Sequence, residues 1–172
     1  MTTLQQALGY ELKHPNPVQR AAQRLGSTRP GAWVLSRTLE PLDKAALRIT
    51  GGRASVAAAL AAVPIVTLHT VGARSGVRRS TPLIGVPLDG AISVIGTNYG
   101  QRPTPGWVYN LEARPEAEVT YRTATVAVVA RHAEAEETEA AFARAAALYP
   151  GYDAYRSRIR GRSIRVFVLD LV

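Results

Sequence analysis

The sequence predicts a small α+β protein built on a curled antiparallel sheet or barrel, and three observations predict it. From Val63 the apolar pattern changes from helix-like spacing to alternation, and it stays strand-like through residue 97. Tight turns join these strands: Asp89-Gly90 is a strong two-residue hairpin signal, and a glycine-flanked basic turn lies at residues 72–79. Helical segments are inserted between strands, but not in the strict β-α-β alternation of a parallel sheet.

The elements follow in order. Residues 1–30 read as a polar leader in which Pro15 and Pro17 interrupt any long helix. Residues 31–50 read as a helix, with Trp33, Val34, Thr38, Leu42, Ala45, Ala46 and Ile49 at spacings of three and four, ended by Gly51-Gly52. Ser55 can cap a short alanine-rich helix running to about Ala62. Strands are expected at 65–71, 79–88 and 91–97. A Gly/Pro-rich loop covers 98–104, and a helix started by Pro105 ends before Pro115. Residues 118–121 and 123–132 form a second hairpin turned near Arg122. Residues 134–148 form the clearest helix, acidic in its first turn and stopped at Pro150-Gly151. A last strand covers 164–169. The expected organisation is a helical extension, 1–62, packed on a core domain, 63–172.

Composition narrows the chemistry. The 172 residues suffice for one domain that buries about two-thirds of its unfolded surface. The absence of cysteine excludes disulfides, thiolate metal sites and a cysteine nucleophile. No apolar run approaches the ~20 residues of a membrane span, and no signal-peptide apolar core is evident, so a cytoplasmic protein is expected. The net charge of +8 is uneven: thirteen Lys/Arg face five Asp/Glu before residue 116, and eight face eight from there on. A basic field of this kind favours anionic partners, or is a solvated arginine-rich surface. The N-terminal helices are expected to pack on the core, with peripheral membrane contact as the alternative.

The basic turn Gly72-Ala73-Arg74-Ser75-Gly76-Val77-Arg78-Arg79 carries the most functional information. Two glycines allow its N–H groups to converge, and Arg74 and Arg79 add charge and forked donors, an arrangement suited to a phosphate or carboxylate. Familiar catalytic engines are missing. There is no dinucleotide or Walker glycine motif, no G-x-S-x-G, and no paired histidine spacing for a metal. His69 on a strand reads as packed or surface. The carboxylates at 134–139 read as helix capping. An anion cradle without an engine suits a borrowed cofactor. Trp107 is open to two roles, core aromatic or pocket wall, and so are Tyr149, Tyr152 and Tyr155, as packed cap or substrate wall.

Four strings resemble the deazaflavin-dependent nitroreductase family, in its order and spacing. They are Thr70-x-Gly72-x-Arg74-Ser75-Gly76-x-x-Arg79-x-x-Pro82-Leu83, Pro105-x-Trp107-x-x-Asn110-Leu111-x-x-x-Pro115, Tyr149-Pro150-x-Tyr152-x-x-Tyr155, and Arg162-x-Ile164-x-Val166. Residues 29–33 and Gly51-Gly52-Arg53 resemble actinobacterial members. The resemblance implies a split β-barrel that binds coenzyme F420, a deazaflavin with a phosphate and an oligoglutamate tail. It further implies an oxidoreductase moving a hydride to a small electron-poor acceptor such as a quinone, enone or nitro compound. Carried over by position, Arg74, Ser75, Gly76 and Arg79 would hold the phosphate and tail. Thr81, Pro82, Ile95, Thr97 and Asn98 would line the ring pocket, with Trp107 closing one side. Tyr149, Tyr152 and Tyr155 would face the substrate, and Thr97, Tyr152 and Tyr155 are the expected catalytic helpers. Three positions depart from the family pattern: Ala73 for arginine, Ile84 for tyrosine, Arg165 for proline. The same barrel serves flavin mononucleotide enzymes, so FMN is the alternative cofactor. A basic nucleic-acid-binding or membrane-binding domain is the non-enzymatic alternative, although the aromatics are not interleaved with the arginines. The expected partner is a small molecule and not nucleic acid, and either a monomer or a homodimer fits.

Overall fold

Seven strands form one antiparallel sheet in the order β2-β1-β5-β6-β7-β4-β3, with β1 Ile65–Val71, β2 Arg78–Ile84, β3 Val86–Leu88, β4 Ala91–Ile95, β5 Glu116–Tyr121, β6 Ala124–His132 and β7 Val166–Leu171. The computed structural model describes residues 2–50 and 55–172. Alternation sets the faces: Val66, Leu68 and Thr70 of β1 are buried, and their intervening neighbours are not. The Asp89-Gly90 turn has φ of 47° and 89°, the left-handed pair that a two-residue hairpin requires.

The strand expected over 79–88 is two strands. It breaks at Gly85, where a Cβ would lie 2.8 Å from Val66 Cγ1 and 3.1 Å from Ile92 Cγ2. Val66 and Ile92 belong to strands near opposite ends of the sheet order, so Gly85 sits where the curled sheet closes on itself. The result is a split β-barrel. Buried Leu68, Val94, Val108, Val119, Phe167 and Leu169 fill its interior.

Helices close the openings. They are α1 Leu4–Leu8, α2 Pro17–Ser27, α3 Arg29–Ile49, α4 Val56–Ala61, α5 Gly106–Ala113, α6 Ala135–Leu148 and α7 Gly151–Arg158. The leader is therefore not an irregular segment. Asn16 caps α2 by accepting from Gln19 N at 2.8 Å, and Pro17 begins the helix instead of breaking it, since its missing N–H falls where none is needed. In α1, Leu4 and Leu8 are buried in the barrel core, and Tyr10 just beyond it donates to the Gly85 carbonyl at 2.6 Å. Further corrections are smaller. The helix expected over 31–50 starts at Arg29; its expected Gly51-Gly52 stop, with Arg53, lies outside the described residues. Pro150-Gly151 ends α6 but also starts α7, because Pro150 is compatible with a first helical turn. The last strand begins two residues later than expected, β5 begins at Glu116, and the 98–104 loop contains a 3-10 turn at Asn98–Gly100.

Candidate functional site

Between the sheet and α2, α3 and α4 lies a cavity of about 540 Å³. Its sheet side is made by residues the sequence singled out: Thr81 and Pro82 from β2, Ile95 at the end of β4, Thr97 and Asn98 after it, and Trp107 on α5. Tyr149, Tyr152 and Tyr155 add a third wall. The structure thus brings nine of the expected site residues together.

The loop after β4 is held in an uncommon shape. Asn98, Tyr99 and Gly100 have successive φ values of 48°, 55° and 78°, all in the left-handed region that costs non-glycine residues free energy. Thr97 is buried, and its hydroxyl has no hydrogen-bond partner among the described residues. Trp107 serves both roles left open by the sequence: it packs edge-on against Phe167 at 5.9 Å between centroids, and it lines the cavity.

The three tyrosines are buried but not equivalent. Tyr155 donates to the Gly26 carbonyl at 3.3 Å, and Tyr149 and Tyr155 share a hydrogen bond of 3.1 Å. With the Tyr155 proton committed to Gly26, Tyr149 is the donor of that pair. Tyr152 makes no such bond among the described residues, so its phenol is the one available to a bound molecule. Burial, reinforced by the neighbouring tyrosines, pushes the phenols of Tyr152 and Tyr155 well above their ordinary value, so both stay protonated.

Arg74, Ser75, Gly76 and Arg79 do not line the cavity. Arg74, Ser75 and Gly76 occupy the exposed turn between β1 and β2, closed by Gly72 N donating to Val77 O at 2.9 Å and Gly76 N to Gly72 O at 2.8 Å, with Gly76 at φ 65°, and Arg79 is exposed on the second residue of β2. Neither Arg74 nor Arg79 forms an ion pair among the described residues, whereas Arg78 pairs with Glu118. Arg79 lies on the strand that supplies four cavity residues: Thr81 and Leu83 share its face, opposite Leu68 and Val66, and Pro82 and Ile84 lie on the other. His69 bonds Ser80 and Thr120 at 2.8 and 2.9 Å on the opposite face, as expected of a packed residue.

Sequence reasoning missed the helical half of the cavity. Leu25 and Gly26 of α2, Val34, Leu35 and Leu39 of α3, and Leu60 of α4 line it. Gly26 permits the approach: a Cβ there would lie 2.6 Å from the Tyr149 hydroxyl and 2.9 Å from Leu35 Cδ1. The available signal was Asn16-x-x-Gln19 with Pro17, a helix start followed by Val18, Ala21, Ala22 and Leu25 at helical spacing.

A family model described as F420H(2)-dependent quinone reductase matches residues 40–170. An F420H(2)-dependent quinone reductase of Mycobacterium tuberculosis is 34% identical over 58 residues, 34% of this chain and 39% of the relative. The chain thus spans about two-fifths of the length of the curated relatives it matches. A solved structure named an F420-H2-dependent reductase superposes with a TM-score of 0.57 at 32% identity, covering 62% of this chain and 94% of its own. Another, described as a domain-swapped dimer, gives the same TM-score and identity over 80% of its length.

Proposed function

The chain belongs to the F420H(2)-dependent quinone reductase family, a family whose cofactor is coenzyme F420, and from that premise we propose that it is an oxidoreductase that reduces a quinone-type acceptor in the cavity between sheet and N-terminal helices. The single observation that carries the reading is that one largely apolar cavity gathers the sheet-side residues and the tyrosines, while Arg74 and Arg79, neither in an ion pair among the described residues, lie at the turn end of the strand that supplies Thr81 and Pro82.

The residues fit the group. The apolar surface of Trp107, with Ile95 and Pro82, suits a planar ring, and Arg74, Arg79 and the turn N–H groups suit a phosphate and carboxylate tail. The first N–H groups of α5, at Gly106 and Trp107, have no intrahelical acceptor and add a positive field at that end. When bound, reduced deazaflavin supplies the hydride. The protein's part is positioning and exclusion of water: the helical wall shields the ring, and the cavity holds the acceptor against it. Tyr152 keeps its phenolic proton and donates a hydrogen bond toward an acceptor oxygen, with the Thr97 hydroxyl as second donor. Enone and nitro acceptors are candidates by the same chemistry.

Titration with oxidised F420 and, separately, with FMN, followed by assay of the reduced coenzyme with a short-chain quinone, tests the reading. Tight F420 binding with quinone turnover is expected; tight binding of FMN alone overturns it.

We infer a second property, contact of α2 and α3 with a lipid surface, from Val18, Leu25, Trp33, Val34 and Leu42, all about half-exposed or more on helices that also carry Arg20, Arg24, Arg29, Arg37 and Arg48. Among the described residues no helix is long and apolar enough to cross a membrane. Flotation with anionic and neutral vesicles tests it: binding to anionic vesicles is expected, and failure to bind them overturns it.

A further inference from the structure

Arg162 lies outside every role considered above, yet its guanidinium is placed with unusual economy. Nη1 donates to the Gly96 carbonyl at 3.0 Å, and Nη2 donates to the carbonyls of Thr97 and Gln101, both at 3.1 Å. These three carbonyls bracket the loop whose residues Asn98, Tyr99 and Gly100 all take left-handed conformations. The remaining nitrogen, Nε, is buried and has no partner among the described residues. No carboxylate pairs with Arg162 among the described residues, whereas the neighbouring Arg165 is paired with Glu112 at 3.1 Å.

Arg162 is partly buried, and its guanidinium gives up part of its hydration against three carbonyls with no counter-charge, a cost that the main-chain dipoles offset only in part. Burial and the nearby Arg165 accordingly pull the Arg162 pKa down. A purely structural tie between two loops would be served by a neutral amide at lower cost. What a planar fork adds is simultaneous reach to carbonyls on both sides of the strained turn. Between Gly96 and Gln101 lie Thr97 and Asn98, both of which line the cavity. Asn98 Nδ2 donating to Pro103 O at 2.9 Å also ties this loop to itself.

We propose that Arg162 is a positioning residue for the ring pocket: its guanidinium clamps the main chain of residues 96–101 in the strained shape that aims Thr97 and Asn98 into the cavity. The inference rests on the proposed coenzyme site and adds to it a residue that touches neither coenzyme nor substrate. Lysine cannot replace it, because a single ammonium does not span Gly96 and Gln101 in one plane.

The test uses the full chain with Arg162→Ala and Arg162→Lys. Binding of oxidised F420 is followed by fluorescence, with and without added methylguanidinium, and amide hydrogen exchange is measured across the chain. Exchange of the amides at 97–101 is expected to quicken at least about tenfold in both variants, with β1, β5 and β6 unchanged. F420 binding is expected to weaken about tenfold or more, and methylguanidinium, but not methylammonium, to restore it in Arg162→Ala. Unchanged loop exchange in both variants overturns the proposal, as does F420 affinity within twofold of the parent. If Arg162→Ala does not fold, Arg162→Lys decides by the same two readouts. Should the parent chain itself bind no F420, the coenzyme reading fails separately; faster exchange confined to the loop then upholds the clamp, and unchanged exchange overturns it.

Discussion

Asn110 and Thr70 are joined inside the protein by a 3.0 Å hydrogen bond from the Asn110 Nδ2 to the Thr70 Oγ1, and the same amide's Oδ1 accepts the Ala73 N–H at 3.0 Å. Both side chains are buried. One amide on α5, a single helical turn after Trp107, therefore fixes the start of the basic turn, and the proposed ring wall and tail cradle share one rigid support. Replacing Asn110 with Ala leaves the Ala73 N–H and the Thr70 hydroxyl without their partner, a cost of about 1–3 kcal/mol. Binding of F420 is expected to weaken more than binding of a deazaflavin lacking phosphate and tail; equal losses for both ligands would count against the shared support.

Arg74 and Arg79 are exposed and carry no ion pair among the described residues, so their charge is available to a ligand. A charge-assisted bond contributes about 1.5–3 kcal/mol net, which predicts that Arg74→Ala weakens F420 binding about tenfold or more. The parent's affinity should fall with added salt and the variant's should fall less steeply. Fluorescence titration at two ionic strengths checks both statements.

The tyrosines should separate by function. Tyr155→Phe loses the bond to the Gly26 carbonyl and leaves Tyr149 without its partner, so a fall in stability of about 1–2 kcal/mol is expected in denaturant unfolding. Tyr152→Phe removes a hydroxyl with no partner among the described residues, and is expected to leave stability nearly unchanged while lowering turnover of the acceptor. A Tyr152→Phe protein with parental turnover would remove Tyr152 from the proposed chemistry.

Gly26→Ala sets two effects against each other. Alanine is the better helix former by about 1 kcal/mol. Its Cβ would nevertheless meet the Tyr149 hydroxyl at 2.6 Å and Leu35 at 2.9 Å, so α2 must lift or Tyr149 must move. Overpacking costs of about 1–3 kcal/mol outweigh the propensity gain, and a lower melting temperature is the expected outcome.

Glu137 reports on acid stability. Its hydrogen bonds from Arg131, at 2.6 and 2.7 Å, and from the Glu134 N–H hold its carboxyl down to about 2 from the ordinary 4.5. A carboxyl depressed in the folded state contributes fully above its unfolded value and loses that contribution as pH falls from about 4.5 toward 2. Glu137→Gln is expected to lower stability at pH 7 by about 0.5–1 kcal/mol, as for a well-formed surface pair. The difference from the parent should shrink below pH 4 in thermal melts across that range.

Much of the sheet was legible because its physics is local. Period-two alternation fixed β1, and Asp89-Gly90 fixed the β3–β4 turn, since both signals depend on neighbouring residues alone. The sheet side of the cavity was legible only through resemblance: nothing local in Thr81, Ile95 or Thr97 distinguishes a pocket residue from a core one. Two kinds of feature escaped. The break at Gly85 arises from Val66 and Ile92 approaching across the closed sheet, a contact invisible to any short window. The α2 wall is hidden by Pro15 and Pro17, which signal an interruption in a short window although Pro17 starts a helix. The clamp by Arg162 was equally unreadable, because its partners are main-chain carbonyls more than sixty residues away.

The closure at Gly85 also bears on how the protein behaves when concentrated. The outermost strands, β2 and β3, are consecutive stretches of chain that meet at this corner, and each carries a proline, Pro82 and Pro87. Strands that lack donors and turn into each other offer a poor template for a neighbouring molecule's backbone. Fibril-like growth by strand addition is thereby blunted, and a Pro87→Val protein should lose part of that safeguard even if it folds as well as its parent.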